Sequence, residues 1–217
     1  MIDLYLIRHA ESTGNVDNHI IGGQSNHLKL TPRGEDQALR LGKRLAGEAF
    51  QPDLIISSVA VRAAHTARIT SQEIGYAEDK IEYTEEMVEH SQGEWEGKLR
   101  KDYYTKEAFA ERAKDPLNFK PPGGESLLDV EERAHAFLEK SVIPRAEQYP
   151  SIALFSHGMT IRCIIRKILD AGADMAFQTV IHNTSITQLH YGKRGWQLVK
   201  LNDFVHLHGT EFIGHYG

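Results

Sequence analysis

Three stretches of this sequence end apolar runs in side chains that bind or attack phosphorus. In LYLIRHAESTGN, residues 4 to 15, the run 4–7 leads into Arg8 and His9, and Asn15 follows six residues after the histidine. In PDLIISS, 52–58, the run ends in Ser57 and Ser58, with Arg62 one turn further on. In SIALFSH, 151–157, it ends in His157 and Gly158. A guanidinium is always charged and grips two oxygens at once. An imidazole can donate a proton to an oxygen or, when neutral, attack phosphorus. Two arginines and two histidines therefore suit a phosphoryl dianion, whose transfer depends mostly on positioning and electrostatics. The remaining requirement is an acid to protonate the leaving alkoxide. Residues 85–97, EEMVEHSQGEWEG, supply the candidates Glu85, Glu86, Glu89, Glu94 and Glu96.

The elements that would carry these groups alternate. Strands are predicted at 3–7, 52–58, 80–84 and 151–157, and closing strands at TSITQLHY and WQLVKLND around the turn GKRG. Helices are predicted at 31–49, 59–75, 100–114, 126–148 and in GMTIRCIIRKILDAG. Thr31 reads as an N-cap with Pro32 in the first helical position, and Gly75 as a helix stop. Ala38, Leu41, Leu45 and Ala49 recur at helical spacing. Strand and helix in alternation imply an α/β sandwich, three layers around a mostly parallel central sheet. Ligands bind such sheets beyond the carboxyl ends of the strands, and a helix starting there adds free N–H groups and partial positive charge. DPLNFKPPGGES, 115–126, is the strongest break in the chain, but it reads as a loop within one domain spanning 1–217. A helical and loop insertion is expected at about 98–125.

The 217 residues suffice for a substantial core, and a net charge of -5 argues against nucleic acid or an anionic membrane as the main partner. No apolar run is long enough to span a bilayer, and MIDLYLIRHAE is too short and charged for a signal peptide. A cytoplasmic location is the default expectation. The single cysteine, Cys163, lies in an apolar helical stretch and reads as a core thiol. Trp95 reads as a packing residue that holds the acid-bearing loop rather than one that stacks on a ligand.

Together these motifs resemble the histidine phosphatase superfamily, which includes the cofactor-dependent phosphoglycerate mutases. RHAESTGN resembles the family's Arg-His-Gly-Glu segment with its later Asn, and SSVAVRAAHTA its Ser-Ser-x-x-x-Arg-Ala-x-x-Thr-Ala pattern. EHSQGEWEG resembles its acid followed by Gly-x-Trp-Glu-Gly, and SHGMTIRCII its Ser-His-Gly segment. PPGGES and HNTSITQLHY also look like later family segments, so the likeness runs in order from residue 4 to about 206. The resemblance implies a phosphoglycerate mutase-like fold with His9 as the nucleophile that becomes a phosphohistidine. It implies that Arg8, Asn15, Arg62 and His157, with Gly22 and Gly158, hold the phosphoryl group, and that Glu89 protonates the leaving group, with Glu86 the next candidate. It implies no metal and no cofactor, and a small phosphorylated metabolite as the partner. Oligomeric state, monomer or dimer, is not encoded in these motifs.

The chain departs from the family pattern at several places. Ala10 replaces the glycine after the histidine, and His19 and Ile21 stand where the phosphatases often carry Arg and Gln. Segment 90–122 is shorter than in the mutases, which favours hydrolysis over mutase chemistry, although Arg100 lies where a mutase carries a lysine. A cofactor-dependent mutase is the close alternative. A non-catalytic phosphate-binding scaffold would lack the nucleophile or the acid, and both are present. A metal-dependent hydrolase using His206, His208 and His215 lacks an HExxH motif and a nearby cysteine.

Overall fold

A computed structural model describes residues 1–209. In chain order the elements are β1 Ile2–Arg8, α1 Thr13–Val16, α2 Pro32–Gly47, β2 Leu54–Ser58, α3 Val61–Ile74, β3 Glu82–Thr84, α4 Arg100–Tyr103, α5 Lys106–Lys114, α6 Leu127–Phe137, β4 Ser151–Ser156, α7 Gly158–Ile168, α8 Asp174–Gln178, β5 Ile186–Gly192 and β6 Gly195–Asp203. The strands form one six-stranded sheet in the order β3-β2-β4-β1-β5-β6. β3, β2, β4 and β1 pair in parallel, and β5 runs antiparallel to both neighbours.

The period-2 alternation of the central strands divides the core between two faces. Leu4, Leu6, Leu54, Ile56, Ile152 and Leu154 pack with α6 and α7 residues such as Ala134, Ile161 and Ile165. Ile7, Ile55, Ala153 and Phe155 face the other way, onto Leu41 and Leu45 of α2 and Ala67 of α3. The result is the expected three-layer α/β/α sandwich with a mostly parallel sheet. Burying each of these large side chains contributes about 1.5–3 kcal/mol, so the strand ends that carry Arg8, Ser58 and Ser156 are rigid.

Local sequence sets several helix ends. The Thr31 hydroxyl accepts the Gly34 N–H at 3.0 Å and Pro32 occupies the first helical position. A Cβ at Gly34 would collide with the Glu11 carbonyl oxygen, so this glycine lets α2 start against the loop that follows β1. Thr31→Ala is expected to cost about 1 kcal/mol through the lost cap, read as a lower urea midpoint at unchanged m-value.

Two predicted helices are corrected. The span 100–114 breaks into α4 and α5 because Tyr104 leaves helical geometry. Its hydroxyl donates to Gln92 Oε1 at 3.1 Å, and Thr105 caps a new helix by accepting the Ala108 N–H. The span 126–148 is regular only to Phe137, then widens to a π-helical segment at Leu138–Val142 and a 3₁₀ turn at Ile143–Arg145. Pro144 explains this, since it lacks an N–H and its ring clashes with the carbonyl four residues back. No helix among the described residues is long and apolar enough to cross a membrane.

Candidate active site

β4 lies between β1 and β2, and the register pairs Arg8 with Ser156 and Ser57 with Phe155. The three strands thus end level, and a cleft opens at that edge of the sheet; His157 and Gly158, which follow β4, are not among the described residues that line it. Arg8, His9, Ser12, Asn15, Gly22, Arg62, Glu89 and Arg100 line it.

His9 is buried, and its Nδ1 lies 2.7 Å from the Ala10 carbonyl oxygen. A carbonyl can only accept, so Nδ1 carries the hydrogen and Nε2 keeps its lone pair. Arg62 Nε–H approaches that lone pair at 3.3 Å. Burial, then the charges of Arg62 and Arg8, push the His9 pKa well below 6.5, against the pull of the Ala10 carbonyl. The imidazole is therefore neutral at pH 7. The His9 backbone is held from both sides: its N–H donates to Ser156 O at 2.9 Å, and Asn183 Nδ2 donates to its carbonyl at 2.8 Å. Ala10 is buried beside Leu30 and Ala38 and is not among the described residues with positive φ. The alanine therefore fits without backbone strain, and its N–H donates to Thr66 Oγ1 at 3.0 Å.

His157 is fully buried, with its ring centroid 5.0 Å from that of His9. Its Nε2 meets Ser58 Oγ at 2.9 Å, while Nδ1 has no partner among the described residues. Burial and the charge of Arg62 depress its pKa well below 6.5. Arg8 donates to the Ile181 carbonyl through Nη1 at 2.6 Å, but its buried Nε has no partner among the described residues and faces Gly158. Its pKa is lowered to about 10, chiefly by burial and also by Arg162 and Arg62, with Glu89 opposing. Arg62 spends its Nη donors on the Gly23, Gln24 and Ser25 carbonyls, tying the 22–26 loop to the site. Asn15 sits in α1, where its Oδ1 accepts the Ser12 N–H at 3.0 Å, and Gly158 opens α7.

Of the five acids, Glu89 is the one that lines the cleft. Its oxygens accept the His90, Met159 and Thr160 N–H groups, the last two from the start of α7. Arg133 Nη2 donates to the Glu89 carbonyl, and its Nε to Glu125, which itself accepts the Ser91 N–H. Glu96 is spent on Gln24, Ser25 and Gln92, which hold its carboxyl below the usual range despite partial burial. Glu85, Glu86 and Glu94 are exposed.

Several supporting residues fall outside the expected set. Ser58 and Thr66 lie inside the motif that marked Arg62, so their signal was present in the sequence. Asn183 and Thr184 lie in HNTSITQLHY; Thr184 holds a left-handed φ of 57 and its N–H donates to the Arg8 carbonyl. Arg162 in α7 acts on Arg8 through charge, but nothing local in the sequence marks it. His19 is exposed, whereas Ile21 is buried. Cys163 is buried, which pushes its thiol up to about 12.

Among the described residues no group of three or more His, Cys, Asp or Glu is arranged to hold a metal ion. His206 instead contacts Thr184 Oγ1 at 2.9 Å, His208 packs edge-on against Phe204, and His215 lies outside the described residues.

The depressed histidines set the sign of a stability effect. Below pH 6.5 the unfolded chain protonates these imidazoles while the folded chain leaves His9 and His157 neutral. His206, held to about 4 by burial and Arg44, behaves alike. Their contribution is present in full above pH 6.5 and is lost as pH falls toward the folded values, by up to about 1.4 kcal/mol per histidine per pH unit. Thermal unfolding at pH 7.5, 6 and 5 is expected to show a progressive fall in Tm.

A model of the histidine phosphatase superfamily (branch 1) matches residues 4–204. The chain is 30% identical over 216 residues to the probable phosphoglycerate mutase GpmB of Salmonella paratyphi C, covering 95% of each chain. It superposes on Bacillus stearothermophilus YhfR with a TM-score of 0.82 at 27% identity, covering 95% of this chain and 100% of that one. On Entamoeba histolytica phosphoserine phosphatase in complex with 3-phosphoglyceric acid, the TM-score is 0.77 at 28% identity, with the same coverage.

Proposed function

The chain belongs to the histidine phosphatase superfamily (branch 1), and from that premise we propose that it hydrolyses phosphomonoesters through a phosphohistidine on His9. One observation carries the reading. Next to a neutral imidazole whose Nε2 lone pair meets the Arg62 Nε–H at 3.3 Å, the buried Arg8 Nε–H and the buried His157 Nδ1 have no partner among the described residues. A buried unpaired donor costs about 1–3 kcal/mol, and a phosphoryl oxygen would partner the Arg8 Nε–H, and the His157 Nδ1 when it carries the hydrogen.

In the first step Nε2 of His9 attacks phosphorus, the P–O ester bond breaks, and Glu89 delivers a proton to the leaving oxygen. Arg8, Arg62, Asn15 and His157, with the backbone of Gly22 and Gly158, hold the phosphoryl oxygens. In the second step Glu89 takes a proton from water as the water oxygen attacks phosphorus, the P–N bond breaks, and inorganic phosphate leaves. The long Arg62–His9 contact, at 3.3 Å, is one that a phosphoryl oxygen can replace. We read the chain as one catalytic domain acting on a small phosphorylated metabolite in the cytoplasm.

The test is phosphate release from p-nitrophenyl phosphate near pH 6 in EDTA. Turnover is the expected result, and its absence would overturn the broad phosphatase reading. A mutase reading draws on the GpmB relative and on Arg100, which lines the cleft. Isomerisation of 3-phosphoglycerate primed by a bisphosphorylated cofactor, without phosphate release, would favour it.

A further inference from the structure

A second pocket opens off the candidate active cleft. The two share His90, Gln92, Tyr104 and Met159 as a common wall. Beyond that wall the pocket is lined by Trp95, Phe109, Phe119 and Phe177 together with Leu127 and Pro121. Among the described residues no carboxylate lines it. The aromatic rings brace one another: Trp95 lies 5.9 Å from Tyr104 and 6.1 Å from Phe119, and Tyr104 lies 6.0 Å from Phe109. Trp95 thus packs against the insertion and faces the pocket at once. Arg112, the single charge in the lining among the described residues, stacks over Phe109 and Phe177 at 4.9 and 5.0 Å, which keeps the wall aromatic.

The direction in which this pocket opens identifies its occupant. Residues that touch Glu89 form the shared wall: the His90 and Met159 N–H groups both donate to its carboxylate. Glu89 is the group assigned to the leaving oxygen, so the alcohol of the substrate departs on this side, away from Arg8 and Arg62. We propose that the aromatic pocket is the leaving-group subsite and that the physiological substrate is a phosphomonoester of a bulky, apolar or aromatic alcohol. This rests on the proposed hydrolase reading for the position of the phosphoryl group. A small polyhydroxy acid would leave the aromatic wall in water, whereas a flat ring system would cover it and dehydrate both surfaces.

The test uses alcohols of similar leaving ability and separates binding from turnover. 2-(1-Naphthyl)ethyl phosphate is compared with ethyl phosphate in kcat/KM, and the corresponding non-hydrolysable phosphonates are compared in Kd by calorimetry. The naphthyl compound is expected to be favoured at least thirtyfold in both. In Phe119→Ala, and independently in Ala108→Trp, which fills the pocket from α5, the naphthyl-to-ethyl ratio is expected to fall at least fivefold. Equal Kd values for the two phosphonates in folded wild-type protein would overturn the subsite. So would a ratio that neither variant moves. Selective binding of the naphthyl phosphonate without turnover of either ester would uphold the subsite while refuting the hydrolase reading.

Discussion

Replacing His9 by alanine is expected to lower phosphomonoester hydrolysis by roughly 10⁴- to 10⁶-fold, the scale of losing a covalent nucleophile. The arrangement offers no substitute. His157 engages Ser58 through Nε2, and the Cys163 thiol, at about 12, stays protonated inside the core. Alanine removes the ring but leaves Arg8, Arg62 and His157 in place, so inorganic phosphate is expected to bind His9→Ala within a few fold of wild type by calorimetry. A loss of kcat below tenfold would mean that water attacks the ester directly, with His9 serving only as a wall of the cleft.

Glu89→Gln is expected to lower kcat by roughly 10²- to 10⁴-fold for alkyl phosphates, the range of a lost general acid. For p-nitrophenyl phosphate the loss is expected to be much smaller, because its leaving group needs little protonation. The amide oxygen can still accept the Thr160 N–H that now meets Oε1 at 3.2 Å, while the Met159 N–H loses its acceptor at Oε2, so the loop keeps part of its anchor. The measurement is log kcat/KM against leaving-group pKa, which is expected to fall more steeply in the variant. A parallel displacement of the line would remove Glu89 from the role of proton donor. Glu96→Gln is the contrast, since Glu96 holds backbone and points to no reacting atom; its effect is expected to be small and uniform across leaving groups.

The strand ends were legible in the sequence because apolar runs, serines and glycines mark them directly. The 4–7 run became the core of β1, and the serines that end β2 and the His-Gly after β4 sit where the runs suggested. The helix start at Thr31 was legible for the same reason: a cap is a local event between a side chain and an N–H three residues on. The distortion at Pro144 had a visible cause that the longer predicted helix ignored. The break at Tyr104 did not, because it depends on Gln92 and Trp95, which only tertiary folding brings near. α1 and α8, at 4 and 5 residues, are too short to carry a periodic signal.

The site shows the same division. Residue types and motif spacing marked Arg8, His9, Arg62 and His157, and the cleft gathers Arg8, His9 and Arg62, with the His157 ring centroid 5.0 Å from that of His9. The five acids of 85–97 were indistinguishable by composition. What separates them is the partners of each carboxylate, with Glu96 tied to the 22–26 loop and Glu89 to the start of α7. Arg162 and the aromatic pocket left no local trace, since both arise from packing between segments far apart in the chain.

The most direct measurement is to mix the enzyme with a phosphomonoester, quench within milliseconds into base, where phosphohistidine survives, and map the phosphoryl group by mass spectrometry. An adduct on His9 that forms and decays at rates matching steady-state turnover is the expected result. Steady turnover with no trapped adduct, or an adduct on another residue, would contradict the covalent mechanism.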